Sequence, residues 1–279
     1  MHHKSLIATL WLACLAVLTT GGCQQPSSGT GGNSTSSVQP LRIAAAADLQ
    51  HALPRLTQRF QERSGTTTTL TLDASGRLAE QIKAGAPYDV FMSANIKFVQ
   101  ELADAGLIEK GTVENYTRGK LVICVHRPVT VTVHELVDLG QPEIKKIAIA
   151  NPEYAPYGVA AKQALERAGL WAKLEQKIVR ALSVRQAFIY AQSGDAEAAL
   201  VSRAQAAGAN VFTVDIDPAL YDPLIQAMGI VSRTGQRDVA DAFVRLVMGP
   251  EGQQILREEG FENPASPQTT TAPARSEAP

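Results

Sequence analysis

Five short stretches place a hydroxyl or a run of free backbone N–H groups where an anion could be held. In Leu41-Arg42-Ile43-Ala44-Ala45-Ala46-Ala47-Asp48-Leu49 a small apolar strand runs straight into helical spacing at Leu49, Leu53, Leu56 and Phe60. Asp48 has the chemistry of an N-cap there. Leu72-Asp73-Ala74-Ser75-Gly76-Arg77-Leu78 repeats the plan, with Ser75 as an N-cap or as a source of both hydroxyl and N–H. In Ala150-Asn151-Pro152-Glu153-Tyr154-Ala155-Pro156-Tyr157-Gly158 two prolines pre-set the backbone ahead of a helix and fix the N–H groups of Tyr157 and Gly158. Ser183-Val184-Arg185-Gln186-Ala187 is again strand to helix, with Val184 near the helix start, and Val201-Ser202 ends a strand on a hydroxyl. The first turn of a helix leaves N–H groups unpaired and carries a partial positive charge, which suits an anion. Taken singly, each stretch also fits an ordinary β-α turn, a plain cap or a stiff connector.

Other side chains read more plainly. Asp89 braces a loop or, less simply, ligates a cation; His51 and Arg77 fall on exposed helix positions. No Gly-x-Ser-x-Gly elbow, Walker loop, His-Glu-x-x-His or Cys-x-x-Cys is present, and the body's histidines, His51, His126 and His134, lack a triad context, so an enzyme is not expected. No cysteine–histidine cluster suggests a cationic metal site or a cofactor. A formal charge of −1 gives no reason to expect nucleic acid as a partner, so an anion would have to be held by local geometry.

The elements that position these stretches alternate. Strands are expected at 66–72, 89–92, 121–125, 147–150, 178–182, 198–202 and 227–232. Helices are expected at 78–84, 96–105, 159–168, 185–192, 237–248 and 251–259, with Gly249-Pro250 breaking the last two. Repeated β-α units imply an α/β fold with mainly parallel sheets. Residues 1–22 read as a signal peptide, with an apolar run from Leu6 to Leu18 and small residues before Cys23. That pattern resembles a lipoprotein signal, which makes Cys23 the lipidation site and the membrane a partner through its anchor. Residues 23–40 are an uncharged Ser/Gly/Thr linker, and 263–279 read as a disordered tail. Cys124, in an apolar strand, reads as a buried small hydrophobe.

In order along the chain, Ala45-Ala46-Ala47-Asp48-Leu49, Ala74-Ser75-Gly76-Arg77-Leu78, the run from Gln81 to Ala94 (QIKAGAPYDVFMSA), Asn151-Pro152-Glu153 with Ala155-Pro156-Tyr157-Gly158, and Gly249-Pro250-Glu251-Gly252 with Gly260-Phe261 resemble the molybdate-binding, periplasmic solute-binding proteins of bacterial ABC importers. The resemblance covers Leu41 to Phe261. It implies a two-lobed, type II periplasmic binding protein fold with the ligand in the interlobe cleft. Lobe 1 would span 41–118 plus 229–262 and lobe 2 would span 119–228, with two crossings as a hinge. It implies a monomer in the periplasm or cell envelope that binds molybdate, and tungstate too, and delivers it to an ABC transporter permease. Molybdenum would enter as an oxyanion, held without a cationic side chain by Asp48, Ser75, Tyr157, Val184 and Ser202. Asp48, Tyr157 and Val184 match N–H donors, Ser75 a donor through hydroxyl and N–H, and Ser202 a position occupied by a tyrosine in well-known members.

Two departures from the family pattern shape the expectations. A carboxylate at Asp48 would be repelled by a dianion in a dry cleft. It is therefore expected to turn away and cap its own helix, leaving only its N–H for the ligand. Ser202 is shorter than tyrosine, so its contact would run through water or need further closure. The alternatives are the same fold holding sulfate, phosphate or a small organic anion, a cell-envelope serine hydrolase using Ser75 or Ser202, or an envelope scaffold without a small ligand.

Overall fold

The computed structural model describes residues 39–127, 132–206 and 211–265. The signal segment, Cys23, residues 24–38 and the tail from 266 lie outside the described residues, and so do the expectations for them. In chain order the elements are β1 (Leu41–Ala46), a 3-10 turn (Ala47–Gln50), α1 (Ala52–Ser64), β2 (Thr68–Asp73), α2 (Ser75–Lys83), β3 (Val90–Ser93), α3 (Ile96–Asp104), β4 (Glu114–Gly119) and β5 (Leu121–His126). There follow β6 (Ile147–Ala150), α4 (Pro156–Arg167), α5 (Trp171–Leu174), β7 (Ile178–Ala181), α6 (Val184–Ser193), β8 (Ala198–Ser202), β9 (Val211–Asp215), β10 (Leu224–Ile230), α7 (Arg237–Met248) and α8 (Pro250–Glu258).

These strands form two five-stranded sheets, β2-β1-β3-β10-β4 and β7-β6-β8-β5-β9, one in each of two α/β lobes. The parallel pairings expected from repeated β-α units are present in both, β2–β1–β3 and β7–β6–β8. Each sheet is completed by two antiparallel pairings, so both are mixed rather than mainly parallel. The chain passes from the first sheet to the second through Lys120 and returns through 216–223. β10 lies wholly in the first sheet, several residues ahead of the boundary expected at 228/229.

Apart from Arg42, β1 is apolar because both of its faces are covered. Leu41, Ile43 and Ala45 pack with Leu53, Leu56 and Phe60 of α1 and with Phe243 of α7, whereas Ala44 packs with Leu78 and Ile82 of α2. Phe60 and Phe243 meet edge to face at 5.4 Å. Cys124 is buried in β5, where the loss of water pushes its thiol up to about 12, so it packs as a small apolar group.

Asp89 braces the first sheet. Its carboxylate accepts the Arg42 backbone N–H at 2.8 Å, the Arg42 guanidinium at 2.8 and 3.0 Å, and the Thr234 hydroxyl at 2.7 Å. Burial alone would raise this group; the bonds from Arg42 and Thr234 outweigh it and hold the carboxyl below its ordinary value. A depressed carboxylate stabilises the fold above its unfolded-state pKa, and that stability is lost as pH falls through the folded value. Asp89→Ala is expected to cost roughly 2–4 kcal/mol at neutral pH in urea denaturation, because it strips several partners at once. The deficit relative to wild type should shrink towards acid.

Candidate functional site

The two sheets bring four helix starts to facing edges. Ala46 of β1 is in register with Asp73 of β2, so the turn carrying Asp48 and the first turn of α2 leave the same edge of the first sheet. Ala150 of β6 is in register with Ala181 of β7, so α4 and α6 begin at one edge of the second sheet. Ser202 ends β8, parallel to β6 and next to it. Ligands in open α/β sheets bind outside the carboxyl ends of the strands, where these starts lie. All five expected residues are buried here: Asp48, Ser75, Tyr157, Val184 and Ser202.

Direct bonds join the two edges. The Gly76 N–H, in the first turn of α2, donates to the Tyr154 carbonyl at 2.8 Å. Gln205, just after β8, donates through Nε2 to the Ala47 carbonyl at 2.6 Å. Ser202 Oγ donates to Tyr157 Oη at 3.0 Å, and Gln226 Nε2 of β10 reaches the same oxygen at 3.3 Å. Gln226 Nε2 also donates to Asp48 Oδ2 at 2.5 Å, while Tyr116 Oη donates to Gln226 Oε1 at 2.7 Å. Gln226 thus links the Tyr157 phenol to the Asp48 carboxylate.

Asp48 therefore differs from its expectation. It sits inside the 3-10 turn and caps no helix through its side chain; the position before α1 is His51. Because α1 begins only at Ala52, after a 3-10 turn, about one turn later than the helical spacing from Leu49 suggests, the carboxylate faces the lobe junction instead of the α1 N-terminus. Burial pushes Asp48 up to about 6 against the lowering influence of Gln226, Tyr157 and its own backbone N–H. Burial likewise raises Tyr157 and Tyr116 well above the ordinary phenol range, with the nearby Asp48 charge adding to it, so both stay neutral donors.

A carboxyl raised on folding lowers stability once ionised. Its adverse contribution is absent below the unfolded-state pKa, builds as pH rises towards about 6, and is complete above that. Asp48→Asn keeps an acceptor for Gln226 and adds no charge. It is expected to stabilise the ligand-free protein by roughly 2–3 kcal/mol above neutral pH, with the gain vanishing towards pH ~4. Chemical denaturation across pH measures this.

The other positions fall as follows. Ala74 is the N-cap of α2, and Ser75 is its first residue; Ser75 Oγ accepts the Ala94 N–H at 3.0 Å. Tyr157 is the second residue of α4, after Pro156. Val184 is the first residue of α6, behind Ser183, whose hydroxyl caps the helix by accepting the Gln186 N–H. Among the described residues no hydrogen bond joins Ser75 or Ser202 to an imidazole, and no cluster of histidine, cysteine and carboxylates could hold a metal ion. A surface recess of about 450 Å3 between α1 and α8 is lined by none of the five residues. Sequence reasoning missed Gln226, Gln205 and Tyr116. The available signal was Gln226, a lone amide in the otherwise apolar strand Leu224–Ile230.

Two facing lobes with helix starts aimed at their junction define a two-lobed binding protein. The profile of the bacterial extracellular solute-binding protein family matches residues 41–262, and the chain belongs to that family. It is 31% identical over 223 residues to the Molybdate-binding protein ModA of Rhodobacter capsulatus, a match covering 78% of this chain and 86% of that one. It is 30% identical to the Bacillus subtilis ABC transporter substrate-binding lipoprotein YvgL, covering 91% and 97% respectively. The solved periplasmic molybdate-binding protein of Azotobacter vinelandii superposes with a TM-score of 0.76 at 31% identity, covering 82% of this chain and all of that one.

Proposed function

We propose that this protein captures molybdate, and tungstate as well, between its lobes and delivers it to the permease of an ABC importer. It would act as a monomer without chemical turnover, outside the cytoplasm and anchored through lipid on Cys23. The observation that carries this reading is the meeting of Asp48, Ser75, Tyr157, Val184 and Ser202 at one junction. The likeness to molybdate-binding relatives over most of the chain supports it, and the lipoprotein relative supports the anchor. Backbone N–H groups of Asp48, Ser75, Tyr157 and Val184 and the Ser75 hydroxyl would hold the oxyanion, each bond contributing roughly 1.5–3 kcal/mol. Ser202 acts through Tyr157, to which it already donates. Neutral donors bind a dianion while leaving it free to be handed on, and donors fixed by backbone favour the larger molybdate over sulfate.

Calorimetric titration with molybdate, tungstate, sulfate and phosphate tests this. Molybdate and tungstate should bind tightly, and sulfate and phosphate at least a hundredfold more weakly. Sulfate or phosphate binding as tightly as molybdate would overturn the assignment.

A further inference from the structure

Asp48 carries a feature that a site built only from neutral donors does not need. Its carboxyl is 1% exposed, and while Oδ2 accepts from Gln226, Oδ1 has no partner. Gln226 cannot turn its carbonyl towards Asp48 without losing the Tyr116 hydroxyl, so Oδ2 stays an acceptor. The carboxyl also belongs to the residue whose backbone N–H is proposed to hold the oxyanion, on the turn Ala47–Gln50 at the lobe junction. Carboxyl and ligand would therefore lie close to one another.

We infer that Asp48 takes up a proton at Oδ1 as the oxyanion enters, turning a repelling charge into a hydrogen-bond donor, so that ligand capture is coupled to pH. This rests on the proposed oxyanion site. The balance is simple: one proton leaves solvent, one O–H bond forms at Oδ1, and no other bond changes. The surroundings supply no other way to neutralise the charge. Tyr116 from β4 and Tyr157 from α4 are neutral, Gln226 from β10 and Ser202 from β8 are uncharged, and no cationic side chain acts on Asp48. On the neighbouring elements Arg55 of α1 is held by Glu258 and Glu259, and Asp73 of β2 is held by Arg77. His51 and Arg185 of α6 are exposed. The free carboxyl, raised by burial to about 6, is largely ionised at neutral pH, and a dianion beside it raises it further. Binding above neutrality therefore draws in a proton.

The test is titration calorimetry with sodium molybdate on the full folded chain, in buffers of differing ionisation enthalpy, from about pH 6.5 to about pH 8.5, where molybdate stays dianionic. Wild type should take up close to one proton per molybdate at the alkaline end, and Kd should weaken about tenfold per pH unit there. Asp48→Asn and Asp48→Ser should take up none, with a Kd that no longer changes with pH. Molybdate bound by wild type with no proton uptake and a flat Kd overturns the coupling while leaving the oxyanion site intact. Uptake unchanged in both variants overturns the assignment to Asp48. No molybdate heat at any pH overturns the site itself, and the coupling with it.

Discussion

Alanine in place of Gly158 is expected to cost roughly 2–3 kcal/mol of stability and most of the molybdate affinity. An added Cβ would lie 2.2 Å from the Ala150 carbonyl oxygen, 2.8 Å from its carbon and 2.9 Å from the Asn151 carbon. All three are backbone atoms at the end of a central strand, so no side chain can swing aside. The start of α4 would have to lift off β6, carrying with it the Tyr157 N–H and the phenol that meets Ser202 and Gln226. Urea denaturation and molybdate titration of Gly158→Ala check both effects. Wild-type affinity in this variant would mean that the α4 start does not hold the ligand.

Gly76→Ala should separate binding from folding. Gly76 lies in α2, where alanine is intrinsically the better helix former by about 1 kcal/mol. Yet its Cβ would sit 2.8 Å from the Tyr154 carbonyl oxygen and 3.1 Å from the Tyr154 Cα, across the lobe junction. Within its own lobe the Cβ meets only the Phe98 ring tip, at 3.3 Å, a side chain that can give slightly, so most of the strain arises when the lobes meet. The variant should keep wild-type stability to within about 1 kcal/mol, but bind molybdate about 100-fold more weakly, because the closed state is less populated. Small-angle scattering should show wild type compacting when molybdate is added and Gly76→Ala failing to do so. Compaction equal to wild type would show that this contact does not gate closure.

Much of the architecture was legible because the central strands are continuous apolar runs. Ile147–Ala150 and Ala198–Ser202 were delimited from such runs alone, and Gly249-Pro250 marked the break between α7 and α8. The strands that escaped notice, β4 and β9, are both sheet edges. Glu114–Gly119 is polar, and Val211–Asp215 alternates, so neither carries the signal of a strand covered on both faces. Both pair antiparallel, which is why the sheets read as mainly parallel from sequence. The site positions were legible as strand-to-helix turns, since that signal is local. The orientation of Asp48 was not, because it depends on Gln226 and Tyr157, which lie 178 residues and about 110 residues away along the chain and meet only when both lobes are assembled. Asp89 shows the opposite case: a carboxylate following Gly85-Ala86-Pro87-Tyr88 was read as a brace, and its partners Arg42 and Thr234 show that role.

The most direct test is the anomalous scattering of molybdenum from a crystal of the protein grown with molybdate. A single strong peak should lie within hydrogen-bonding reach, through the oxyanion's own oxygens, of the N–H groups of Asp48, Ser75, Tyr157 and Val184. A peak elsewhere on the molecule, or none at a molybdate concentration that saturates calorimetric binding, would contradict the account.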